Sequence, residues 1–323
     1  MAFDARPYLK EIARGPHSAR DLSRDQARAL FAAIFAGEVA DVALGAVLVA
    51  LRMKGETVEE LAGMMEALAG HLIPIRMPAR RALPLVIPTY NGARKLPNLL
   101  PLLALKVARE GIPVLLHGAF HEPGRVTAFH VLERMGMPAA RTIGEVERAL
   151  EERHLAAAPL ALVSPALARV LDARIRTGVR SAAHTLAKLL LPGGVAPDAG
   201  CRLIPVTHPD FVKLLRAYFA IAPGDALLMR GLEGEAVVRL HSPQPIEALG
   251  HGAEPIEHRI EGSDVEPELP DRDAEATAQW TRDVLDGKVA APAALSAQAA
   301  FLVEHCRRGA GAGRPALRLV SSH

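Results

Sequence analysis

Cysteine is nearly absent: Cys201 and Cys306 are the only two in 323 residues, and neither sits in a C-x-x-C pair. That excludes a disulfide framework and a thiolate metal site, and both are read as packing residues. Long apolar runs are missing too, since no window holds eighteen uncharged apolar residues, so no membrane-spanning helix is expected. The opening Met1-Ala2-Phe3-Asp4-Ala5-Arg6 lacks the basic-then-apolar order of a secretory leader, which gives a cytoplasmic expectation. Aromatics are scarce, with eight Phe, three Tyr and one Trp, so no extended stacking surface is visible.

Half of the chain is hydrophobic, enough for one large core or two modest ones. The net charge of +2 conceals a segregation. Residues 73–125 carry eight Lys/Arg against two Asp/Glu, and residues 169–216 carry eight against three. Residues 233–286 reverse the balance with fourteen acids and four bases. A positive face is therefore available on a nearly neutral protein, although charges scattered over solvated faces would give the same counts.

The first seventy residues read as helices. Ser23 and Gln26 form a capping box, the run from Leu44 to Met53 is a buried helix ended at Lys54-Gly55, and Thr57 caps a third helix through Leu61, Met64 and Leu68. Leu83-Pro84-Leu85-Val86-Ile87 reads as a strand entering a loop at Thr89-Tyr90-Asn91-Gly92. A helix from Asn98 to Glu110 and a strand at 112–116 complete a unit that implies a parallel sheet. Further strands are expected at Leu160–Val163 and Ala226–Met229, a helical region at Ala291–Cys306, and a flexible tail from Gly309 to Arg314.

The segment Ala50-Leu51-Arg52-Met53-Lys54-Gly55-Glu56-Thr57, with Glu59-Glu60-Leu61-Ala62-Gly63 after it, resembles the N-terminal helices of anthranilate phosphoribosyltransferases, a glycosyltransferase family 3 fold. Arg174-Ile175-Arg176-Thr177-Gly178-Val179-Arg180-Ser181-Ala182-Ala183-His184 resembles that family's R-x-x-L-G-x-R-T-x-x-N motif. The resemblance implies a small all-helical domain (1–75, completed by about 165–195) and a larger α/β domain (76–164 and 196–323) with a mostly parallel central sheet. It also implies a homodimer through the helical domain, and an anthranilate contact at Arg174.

The donor-binding motifs of that family depart here. Its G-T-G-G-D pyrophosphate loop reads Pro88-Thr89-Tyr90-Asn91-Gly92, where a proline offers no N–H and a tyrosine fills a small position, so loss of the cradle is expected. N-x-S-T reads Asn98-Leu99-Leu100-Pro101, and K-H-G-N-R reads Leu116-His117-Gly118-Ala119-Phe120, keeping Asn98, His117 and Gly118 but neither cation. The magnesium-holding Asp-Glu pair is represented at best by Glu233-Gly234-Glu235, so neither a metal nor another cofactor is expected. Thr89, Asn91, Gly92, Asn98, His117 and Gly118 are thus read as a degenerate donor pocket with no catalytic residues.

Cations remain: Arg94 and Lys95 beside the donor loop, Arg174, Arg176, Arg180 and Lys188 along the hairpin, and Arg230. Spacing suggests a basic stripe of Arg176, Arg180 and Lys188 near His184. This texture resembles the family's YbiB-type, DNA-binding branch, which implies nonspecific binding of DNA or RNA phosphates without a visible base-reading element. Tyr90 and Phe120 are the two aromatics placed to stack at the vacated pocket. The acidic stretch 254–286 could cover the basic groove as a phosphate mimic. The alternative is a transferase that still uses phosphoribosyl pyrophosphate and magnesium. His117, His121 and His130 lack zinc-ligand spacing, and Ser164 and Ser181 lack a triad.

Overall fold

The computed structural model describes residues 3–15, 18–78, 82–263 and 267–309. The chain opens with α1 (Arg6–Ile12), α2 (Arg24–Ala36), α3 (Asp41–Lys54) and α4 (Val58–Ala69). Both expected capping boxes form: Gln26 N–H donates to Ser23 Oγ at 3.2 Å, and Glu60 N–H donates to Thr57 Oγ1 at 3.3 Å. Glu60 does more than cap. Its buried carboxylate also accepts from Leu22 N–H at 2.9 Å and from Lys54 Nζ at 2.8 Å, joining the start of α2 and the end of α3 to α4. A charge buried this deeply persists because each oxygen is matched.

The remainder alternates strand and helix: β1 (Leu85–Thr89), α5 (Leu100–Arg109), β2 (Val114–Gly118), α6 (Ala128–Arg134), α7 (Ile143–Arg153), β3 (Leu155–Pro159), α8 (Leu160–Val163). The helical hairpin α9 (Pro165–Thr177) and α10 (Ala182–Leu189) follows. Then come β4 (Cys201–Val206), α11 (Pro209–Ile221), β5 (Asp225–Arg230), β6 (Gln244–Gly250), β7 (Ile256–Ile260), α12 (Ala274–Leu285) and α13 (Ala293–Gly309). Leu160–Val163, expected as a strand, is a single helical turn, and the strand is the Ala-rich segment just before it. The acidic stretch holds β7 and α12. Of the expected tail, residues 310–314 lie outside the described residues.

The seven strands run β3-β2-β1-β4-β5-β6-β7, parallel from β3 to β5 and antiparallel at β6 and β7. The protein thus has a small helical domain and a larger α/β domain with a mostly parallel sheet. The hairpin α9–α10 packs back on α2, α3 and α4. One core runs from Phe31, Leu48 and Leu61 through Leu167 and Leu186 onto Val86, Leu115 and Ile204 on one sheet face. Leu85, Ile87, Leu116 and Leu227 on the other face pack with α5 and α13. Each such side chain stabilises the fold by about 1.5–3 kcal/mol. Chain order steps outward from β1 in both directions, which opens a crevice at the carboxyl ends of β1 and β4.

Candidate functional site

The loop leaving β1 lies over that crevice and still points its backbone amides inward. Asn91 and Gly92 donate to Glu235 Oε1 at 3.1 and 2.6 Å. Arg94 N–H donates to Glu233 Oε2, and Lys95 N–H to both Glu233 oxygens at 2.9 and 3.0 Å. Gly92 holds the loop in its turn at φ +66°. The expected loss of the cradle is corrected: the amides are present, and two carboxylates from the loop after β5 occupy them. Asn91 locks the two loops with an Nδ2 bond to Gly234 O at 2.8 Å. The cavity left between residues 93–99 and 232–237 is about 10 Å³, room for one water at most.

Beneath the loop the polar groups are sealed. Thr89, His117 and Glu235 are buried, and Thr89 Oγ1, His117 Nε2, His184 Nε2 and Glu235 Oε2 make no hydrogen bond of normal geometry. Tyr90 Oη and His117 Nδ1 are bonded at 2.8 Å, and burial holds the His117 pKa down to about 3. Burial, with Arg180 and Arg174 nearby, does the same to His184, also to about 3. Burial raises the carboxyl of Glu235 above its ordinary range. Asn98 and Gly118 have structural work: Asn98 Oδ1 accepts from Leu100 N–H at 3.2 Å at the start of α5, and Gly118 lies against the carbonyl of Thr89.

Outside the seal is a set of arginines. Arg180 Nη2 donates to Asn91 Oδ1 at 2.7 Å, and its charge is opposed, after burial itself, by Arg174, Arg125 and Arg52, with Glu122 as counter-charge. Arg174 pairs with Glu122 at 2.6 Å, and Arg125 reaches Gly92 O at 3.2 Å. Arg52, Arg94, Lys95 and Arg230 are exposed. Among the described residues none of these four side chains makes an ion pair.

The expected single-helix stripe does not form. Gly178 takes a left-handed cap at φ +71°, so Arg176 lies in the last turn of α9, Arg180 lies between the helices, and Lys188 belongs to α10. Arg176 pairs with Asp41 at 2.7 Å. Lys188 turns inward to Pro205 O at 2.8 Å, and burial lowers its pKa to about 8, so it belongs to the sealed pocket. Other bases in 169–216 are also engaged: Arg202 is buried over Phe219, and the exposed Arg216 pairs with Glu247 at 2.6 Å. Arg52 and Arg125 were not singled out in the sequence, although Arg52 lies in the helical motif and Arg125 follows the His117-Gly118 segment. The acidic cover seen among the described residues is Glu233 and Glu235, and the described part of stretch 254–286 meets the loop through Arg272, which donates to Arg94 O at 3.0 Å.

Residues 6–71 match a glycosyl transferase family, helical bundle domain. The chain is 39% identical to the protein YbiB of Escherichia coli (strain K12) over 92% of its own length and 93% of that protein. The chain belongs to the anthranilate phosphoribosyltransferase-like family. It is 27% identical to anthranilate phosphoribosyltransferase 2 of Ralstonia nicotianae, over 83% of this chain and 73% of that one. The crystal structure of anthranilate phosphoribosyltransferase from Thermus thermophilus superposes with a TM-score of 0.72 at 24% identity, covering 94% of this chain and 89% of that chain, which shows the shared fold.

Within this family the resemblance assigns the Glu233-Gly234-Glu235 segment to magnesium. The geometry does not fit that ion: both Glu233 oxygens and one of Glu235 are already accepting backbone N–H groups. Magnesium demands near-octahedral oxygen ligation, and here three of the four carboxylate oxygens are turned to the loop amides instead.

Proposed function

We propose that this family member binds nucleic acid, DNA or RNA, through its phosphates and with little sequence selectivity, as a cytoplasmic protein without phosphoribosyl transfer. The observation that carries the reading is the meeting of Arg52, Arg125, Arg174 and Arg180 beside a donor loop whose amides are filled by Glu233 and Glu235. A small, deeply seated pyrophosphate has no room, whereas a polyanion lying across the mouth meets arginines with few counter-charges. Arg94, Lys95 and Arg230 extend that basic rim. Such contacts release counterions and give salt-dependent, sequence-tolerant affinity.

The reading includes a homodimer through the helical domain. Val42, Ala46, Val49 and Met53 form one exposed apolar stripe on α3, and Ile175, 83% exposed, lies beside it near the Arg176–Asp41 pair. An apolar stripe of this kind favours association with a second copy, and two-fold pairing would double the cationic surface. No helix among the described residues is long and apolar enough to cross a membrane.

The test is fluorescence anisotropy with labelled oligonucleotides over a salt series, comparing wild type with the triple variant Arg52→Glu, Arg125→Glu, Arg180→Glu. Affinity should fall steeply with salt, and the variant's log–log slope should flatten by about 0.7–0.9 for each phosphate the protein no longer neutralises. Salt-insensitive binding, or an unaltered triple variant, rejects the proposal. Stabilisation of the wild type by phosphoribosyl pyrophosphate with magnesium would instead favour a transferase.

A further inference from the structure

We infer that the cleft contains a base-stacking subsite built on Phe120, which makes single-stranded nucleic acid its preferred ligand; this deepens the nucleic-acid reading and rests on it. Of the two aromatics at the former donor pocket, Tyr90 is 6% exposed and bonded to His117, so it is closed to a ligand. Phe120 is 41% exposed. It stands two residues past the end of β2, where the family's motif has an arginine. The apolar replacement is not explained by full burial.

The ring is held in place rather than free. Thr127 Oγ1 donates to Phe120 O at 3.0 Å while accepting from His130 N–H at the start of α6, which pins the backbone. His130 packs edge-on at 5.2 Å and 85°, and buried Phe129 lies at 6.5 Å beneath. His121, exposed, meets His130 at 6.2 Å. A ring braced on one side and open on the other loses little freedom when a base stacks on it.

Cations accompany the ring along its own loop and around it. Glu122, two residues on, pairs with Arg174, and Arg125 follows on the same loop and reaches the donor loop, with Arg180 and Arg52 across the cleft. Phosphates tracking the arginines would place a splayed base over Phe120. A duplex keeps its bases stacked inside and offers that ring nothing, whereas a single strand has bases free to turn out.

The experiment measures binding of an oligothymidine and of a duplex of equal length to wild type, Phe120→Ala, Phe120→Tyr and Phe120→Trp. Phe120→Ala should weaken single-strand binding between about fivefold and about a hundredfold, the range for one lost base–aromatic stack. Duplex affinity and the salt slope should stay unchanged, because every phosphate-binding cation is still in place. Phe120→Tyr should restore single-strand affinity. In Phe120→Trp the new indole should be quenched by the oligothymidine and not by the duplex; the native Trp280, 8% exposed in α12, supplies the constant background. Equal effects of Phe120→Ala on both ligands, or no effect, overturn the inference while leaving the nucleic-acid reading intact. Failure of the wild type to bind either ligand overturns both.

Discussion

Replacing Glu235 tests whether its carboxylate serves the loop amides or serves Lys188. Glu235 is 2% exposed, and its Oε1 accepts from two N–H groups of buried Asn91 and Gly92. Glu235→Ala leaves both donors without an acceptor, at about 1–3 kcal/mol each. The vacated volume adds about 1 kcal/mol, and release of a desolvated carboxylate returns about 1–2 kcal/mol. The net loss is about 1–6 kcal/mol. Glu235→Gln keeps a carbonyl oxygen in the same place and removes the charge, so its change should stay within about 1 kcal/mol. Urea denaturation should therefore rank the wild type and Gln together and Ala well below, a gap of several degrees at about 2 °C per kcal/mol in a melt. If Gln is as damaging as Ala, the carboxylate acts as the ion partner of Lys188 and the loop argument fails. If neither variant matters, the amides have found water and the seal is open.

Three further outcomes follow from the same geometry. His117 and His184 have folded pKa values near 3 against 6.5 when free, so the unfolded chain binds more protons between those limits. Stability should be fully present above pH 6.5 and fall as pH drops through that window, by about 2–3 kcal/mol per unit when both count; His117→Phe should shrink that slope in denaturant titrations, and an unchanged slope refutes the assignment. Gly234→Ala forces a side chain at φ +89° with its Cβ 2.7 Å from Asn91 Nδ2, so a loss of about 2–4 kcal/mol is expected; a melt equal to wild type would show that the two loops are not locked. Val49→Glu with Met53→Glu should halve the mass seen by light scattering without lowering helix content, and an unchanged mass rejects α3 as the pairing surface.

The fold was largely legible because its signals are local. The Ser23/Gln26 and Thr57/Glu60 boxes, the apolar run of α3 and the strand-loop-helix-strand unit from 85 to 118 each declare themselves within a few residues. Misreadings came where the deciding partner is remote or the composition misleads. Ala-rich β3 has little strand character by itself and is fixed by pairing with β2, whereas Leu160–Val163 looks like a strand and makes one helical turn. β6 and β7 were not read at all in an acidic stretch whose strands pair antiparallel at the end of the sheet. The basic stripe failed at Gly178, where the chain leaves the helix and turns Arg180 and Lys188 to different partners. Glu233 and Glu235 meet the donor loop across some 140 positions of sequence, so the motif showed the pair without its role.

That last contact changes the reason for excluding a pyrophosphate. Missing glycines and cations suggested a cradle that had gone, yet backbone amides at the end of β1 cannot be removed without rebuilding the loop. Left empty and dry, each would cost about 1–3 kcal/mol. A carboxylate has the charge and the acceptor count of one phosphate edge, and Glu233 accepts the strain of a left-handed backbone, φ +51°, to bring one there. The inner anion site is thus satisfied by the protein itself, whereas of Arg52, Arg125, Arg174 and Arg180 only Arg174 has a carboxylate partner among the described residues. A cleft in that state attracts phosphates without engulfing them, which suits a long chain laid across its mouth better than a small donor seated at its floor.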